Sequence, residues 1–183
     1  HFRITLKRII IIIFLLFSSL IAQSSIGGIP YSIKHHLENP RNKTVLPILN
    51  VEQLLEEDKR APLGTPFRYG YQFDVHLSLE NSGEWINLDN GDRLWRLTIK
   101  SQDALAIFFK CNQFYLPKGS RLFVYNEDIS TILGAYTSVN NKSSMSFSTS
   151  LIQGDVIHLE YYEPYSMYNQ GVININAIIH DYK

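Results

Sequence analysis

The sequence predicts an all-β fold: an antiparallel β-sandwich, jelly-roll-like, preceded by a signal peptide and an arm with one short helix. Three observations carry this. Apolar residues recur with period two over residues 67–79. An Asn-Gly turn, Asn90-Gly91, sits between two alternating apolar runs. About nine short strand-like runs then succeed one another, with turn signals every 8–12 residues or so.

The first element is the leader, residues 1–22. Arg3, Lys7 and Arg8 form a positive start, and residues 9–21 are apolar and uncharged, ending at Ala22. The run is shorter than the ~20 residues that span a bilayer, and its flanks fit a secretory signal peptide cleaved after Ala22. Export is therefore expected, with no membrane attachment after cleavage. Removing a leader of about 22 leaves roughly 160 residues, enough for one domain with a real core. The chain begins at His1 rather than Met and reads as a fragment, with more protein expected after Lys183.

Residues 23–66 form the arm, punctuated by Gly27-Gly28, Pro30, Pro40, Pro47, Pro62, Gly64 and Pro66. Within it, residues 51–58 predict a short helix. Asn50 is placed to cap it, and Val51, Leu54 and Leu55 share one apolar stripe that must pack on something. The acids Glu56, Glu57 and Asp58 read as its solvated face.

The sandwich is expected over 67–183. Residues 67–79 alternate as a long half-buried strand, and 85–88 and 93–99 flank the Asn90-Gly91 turn. In the second of these, Trp95, Leu97 and Ile99 face one way and Leu94, Arg96 and Thr98 the other. Further strands are predicted at 104–110, 121–125, 131–136, 145–149, 156–162 and 172–179.

Composition excludes some functions. Aromatic residues make up 13% of the chain and charged residues 19%, a globular balance. Three of the 17 basic residues lie in the leader, leaving 14 against 17 acids, so nucleic acid and anionic membrane are not expected partners. The single Cys111 forbids an internal disulfide and reads as a small buried apolar residue.

Catalytic motifs are missing from the pattern. There is no G-x-S-x-G, and Gly154-Asp155 runs into Val156 as a strand-opening turn. His158 alternates within a strand, and His35-His36 lacks zinc-site spacing, so no cofactor or metal is expected. The acids of residues 89–92 and 126–128 fit turn chemistry better than a calcium loop. Among the aromatics, Trp95 and Tyr161 are expected inside, whereas Tyr165 and Tyr168 in a loop are candidates for exposure. Carbohydrate is accordingly the alternative ligand.

An ordered series of motifs gives a family likeness. It comprises GGIPYS at 27–32, RYGYQFDV at 68–75, LENSGEW at 79–85, NGDRLWRL at 90–97, FYLPKGSRLFVYNED at 114–128, LGAYTS at 133–138 and GDVIHLEYYEP at 154–164. From residue 27 onward the chain resembles the non-catalytic amino-terminal region of exported bacterial trypsin-like serine endopeptidases, the group that includes lysyl endopeptidase precursors. The resemblance implies a pro-region that assists folding or restrains a protease domain following Lys183, with the catalytic His, Asp and Ser all beyond this chain. It implies secretion or display at the surface of a bacterium, an intramolecular partner in the downstream protease, and processing near Lys183. Leu54, Leu55, Tyr165 and Tyr168 are the candidate interaction residues. The alternative is a retained carbohydrate-binding or adhesion module.

Overall fold

The computed structural model describes residues 25–40 and 42–183. The predicted signal peptide, with Ala22, lies outside them. The described residues form a β-sandwich of two mainly antiparallel sheets. In chain order the elements are α1 (Tyr31–Lys34), β1 (Lys43–Val45), α2 (Val51–Lys59), β2 (Gly70–Ser78), β3 (Glu84–Asn87) and β4 (Arg93–Lys100). Then come β5 (Ala106–Tyr115), β6 (Arg121–Asn126), β7 (Ile132–Tyr136), β8 (Phe147–Ser148), β9 (Ile152–Gln153), β10 (Val156–Glu163) and β11 (Val172–Asp181). No described helix is long and apolar enough to cross a membrane.

The first sheet runs β4–β10–β6–β7, with β1 and β3 sharing the free edge of β4. In the second, β11 lies between β2 and β5, while β8 and β9 share the far edge of β5. Alternation decides what fills the space between them. Trp95, Leu97 and Ile99 of β4 and Ile157, Leu159 and Tyr161 of β10 point inward. They meet Ile107, Phe109 and Cys111 of β5 and Ile173, Ile175 and Ile178 of β11. Phe147 stacks on Phe114 at 4.0 Å and closes one end. Burying each such side chain contributes about 1.5–3 kcal/mol, which makes this core the main support of the fold.

The turn ahead of β3 needs its glycine. Gly83 has φ +70°, and a Cβ there would lie 2.6 Å from the Arg96 carbonyl oxygen. That tightness lets the Trp95 indole N–H donate to the Ser82 carbonyl at 2.7 Å from inside the core.

Several expectations shift. The strand predicted from residue 67 starts at Gly70, where pairing with the end of β11 begins, and Phe67 is left 74% exposed. The strand predicted over 104–110 continues to Tyr115 because β11 pairs along all of it. β1 and β9, three and two residues long, were not expected, nor was α1.

The arm is more than a cover. β1 pairs in parallel with β4, and Leu46 joins the core between the sheets. The segment around α1 lies over the outer face of the first sheet. Leu94, Arg96 and Thr98, on the far face of β4, are consequently buried as deeply as the inward residues. Glu160 on β10, 1% exposed, accepts from the backbone N–H groups of Tyr31 and Ser32 and so supplies α1 with the cap that Pro30 does not. Arg96 Nη1 donates to the Glu38 carbonyl at 2.7 Å and Nη2 to Glu84 at 2.7 Å.

Candidate functional site

Two surface features gather the candidate residues, one at each end of the molecule's sequence logic. The first grows from the β3–β4 turn. Gly91 has φ +85°, and Leu88 N donates to the Asp92 carbonyl at 2.8 Å, which turns the Asp92 carboxylate outward. The β10–β11 loop settles on that carboxylate. Tyr165 N donates to Asp92 Oδ1 at 2.8 Å, the Tyr162 hydroxyl donates to Oδ2, and the Tyr168 hydroxyl donates to the Gly91 carbonyl at 2.6 Å. The Tyr162 hydroxyl, then the Tyr165 N–H, hold Asp92 below the ordinary carboxylate range.

Arg93, next in sequence, is enclosed. Its guanidinium lies 3.9 Å from the Trp85 ring centre and 4.3 Å from that of Tyr168. Nε donates to Glu163 at 2.6 Å and Nη2 to Asn169 at 2.6 Å. Glu163 is 0% exposed, so this is a desolvated ion pair. Tyr165 and Tyr168 do come together, with ring centres 5.2 Å apart. Their situations differ. Tyr168 is half-buried and covered by Arg93, while Tyr165 is 70% exposed and open to a partner. Trp85 is likewise occupied, packing on Tyr161 and donating from its indole to the Leu79 carbonyl at 3.0 Å.

The second feature is built on α2. The Asn50 side chain accepts from Gln53 N at 3.0 Å and caps the helix. Leu54 is buried and so unavailable as a contact surface, while Leu55 is half-buried beside a groove of about 760 Å³. Leu63 and Phe67, both exposed, form the other side of that groove. Reading Glu56, Glu57 and Asp58 together as a solvated face fails for Asp58. Its side chain is only 16% exposed, because the end of β11 delivers Tyr182 and Lys183 to it.

Asp58 accepts from the Tyr182 hydroxyl at 2.9 Å and from Arg68 Nε at 2.8 Å, and pairs with Lys183 Nζ. Lys183 also lies over the Phe67 ring at 4.6 Å. Lys183 first, then Tyr182 and Arg68, pull Asp58 down to about 2 from the ordinary 3.8. Such a carboxylate stays ionised near neutrality. It can hold a cation, but it cannot shuttle a proton.

Two hydroxyl–imidazole pairs escaped sequence reasoning, because their members lie far apart in the chain. Ser101 Oγ is 2.7 Å from His180 Nδ1, and Thr98 Oγ1 is 2.9 Å from His158 Nδ1. Ser101 is 0% exposed and His180 1%, so no substrate reaches that serine and the pair serves packing. Burial raises the Cys111 thiol well above its ordinary range, which keeps it protonated and unreactive. Among the described residues no group of three or more His, Cys, Asp or Glu side chains could hold a metal ion. No family model matches the chain.

Proposed function

We propose that this chain is the non-catalytic amino-terminal pro- or accessory region of a trypsin-like serine endopeptidase exported by a bacterium, assisting the folding of the protease that would follow Lys183 or restraining it. The observation that carries the reading is the grip of Asp58 on Lys183. A strand in the middle of the second sheet leads directly to a lysine held against the arm helix. A domain attached there would start beside the α2 groove, with Leu55, Leu63 and Phe67 within reach. Processing near Lys183 would then require the grip to open, which couples cleavage to loosening of the end of α2.

The test is refolding of the cognate protease domain with this chain added in trans. A rise in active yield, reduced by Asp58→Ala, is the expected result. A yield that stays flat over a wide range of added chain ends the proposal.

A second reading, a retained carbohydrate-binding or adhesion module, draws support from Tyr165, whose ring is open beside Tyr168. Glycan-array binding lost in Tyr165→Ala would favour it, and a blank array would count against it. Trp85→Ala would not serve as a probe, because Trp85 is held internally by Arg93, Tyr161 and Leu79.

A further inference from the structure

On the outer face of the first sheet, α1 and the loop after β6 enclose a cavity of about 380 Å³, within the range of small-molecule sites. Its deep end is formed by Ser32, Tyr125 and His158, each no more than 4% exposed. Ile33, Leu37 and Ile129 supply apolar walls. The Ser32 and Tyr125 hydroxyls lie 2.9 Å apart and share one hydrogen bond, and each retains capacity for another.

His158 is the telling residue. Thr98 occupies Nδ1, and the Tyr125 ring lies alongside, 5.3 Å between centres. Nε2 is buried and has no hydrogen-bond partner. A buried polar group left in that state costs about 1–3 kcal/mol, and the cavity is the space from which a partner can come. The imidazole is kept neutral by burial, the first cause of its lowered pKa.

Neutrality defines the ligand. At the rim the Glu127 carboxylate is paired with Lys43 Nζ at 3.9 Å, and among the described residues no charged side chain lines the deep end, so neither an anion nor a cation finds a free counter-charge. A hydroxyl group meets both tautomers of His158, donating to a bare Nε2 or accepting from a protonated one. We propose that this cavity binds a neutral, polyhydroxylated ligand the size of one sugar ring, with a ligand hydroxyl on His158 Nε2 and a second on the Ser32–Tyr125 pair. The site is separate from Tyr165 and does not depend on the pro-region reading.

The test is titration of the full chain with methyl glycosides of glucose, galactose and mannose, followed through the imidazole nitrogens by NMR. A saturable change at His158 Nε2 with at least one glycoside is expected. His180, whose Nε2 is also buried and unpartnered but lies in the other sheet, should stay fixed. Leu37→Trp fills the cavity from its wall without touching His158 and should weaken binding at least about tenfold, roughly one net hydrogen bond. Ile129→Trp fills it from the other side and replaces Leu37→Trp if that variant melts early. An oligosaccharide ending in the same sugar, run alongside, distinguishes a glycan end from a free sugar, and binding of either supports the site. No saturable change with any glycoside, an equal response to glycerol, or undiminished binding by the filled variants would overturn it.

Discussion

Arg93 shows how one residue can settle the character of a surface. Its charge neutralises Glu163, its guanidinium packs on both Trp85 and Tyr168, and its far nitrogen fixes Asn169. Arg93→Ala would leave Glu163 buried without its counter-charge, and a loss of about 3–5 kcal/mol in urea unfolding is expected. Arg93→Lys keeps the charge but loses the planar fork, so it should recover only part of that loss. Tyr165→Ala, on the same loop, removes an exposed ring and should change stability by no more than about 0.5 kcal/mol. A near-neutral Arg93→Ala would show that the loop is held by Asp92 alone. The sequence pointed to Tyr165 and Tyr168 as loop aromatics, but nothing local distinguished the open ring from the covered one. That distinction depends on Arg93, which lies 75 positions upstream of Tyr168, on β4 and directly opposite Glu163 of β10.

At the scale of elements, strands with sustained alternation were legible, and so was the helix announced by Asn50. β1 and β9 were not, since three or two residues cannot display a period. The outer face of β4 misled for a physical reason. Arg96 and Thr98 look like solvent-facing residues of an amphipathic strand, yet the arm covers them; Arg96 donates to the Glu38 carbonyl of the arm and Thr98 pairs with His158 of β10, each about sixty residues away, while Arg96 Nε is left without a partner. The buried polar layer under α1 was therefore invisible to local patterning, and His158 with it. Glu160 is the fastening of that layer. Glu160→Gln would leave one acceptor for the two α1 N–H groups and turn an amide N–H₂ toward the other. A loss of about 1–3 kcal/mol is expected, together with faster hydrogen exchange confined to residues 25–40. Unchanged exchange in the arm would mean that β1 and Leu46 hold it without Glu160.

Taken whole, the molecule should weaken in acid at two separate stages, because its titrating groups sit in unlike surroundings. His158 lies on the first sheet and His180 on the second, and burial is the leading cause that lowers both below 6.5. The unfolded chain thus binds more protons than the folded one as pH drops below about 6.5, and stability falls with it. Asp58 acts later. Its folded value of about 2 lies below the ordinary 3.8, so its contribution is complete above 3.8 and disappears as pH falls toward 2. The first stage is global, since both imidazoles are in the sheets, whereas the second frees Lys183 and the end of α2. Urea unfolding across the range from pH 7.5 to pH 5 or so reads the first stage, and the two histidines should contribute additively because they share no partner. His158→Gln is expected to remove its own share of the slope and leave that of His180. Limited proteolysis within α2, at Leu54 and Leu55, between about pH 4 and pH 2 reads the second, using an acid-active protease that cuts at apolar residues, and Asp58→Asn should reduce the dependence, the remainder coming from Glu57, which Gln53 and Arg68 hold below its ordinary range. Stability that stays level down to pH 5 would mean that both imidazoles find partners on protonation, and for His158 the cavity beneath α1 is where that partner would have to enter.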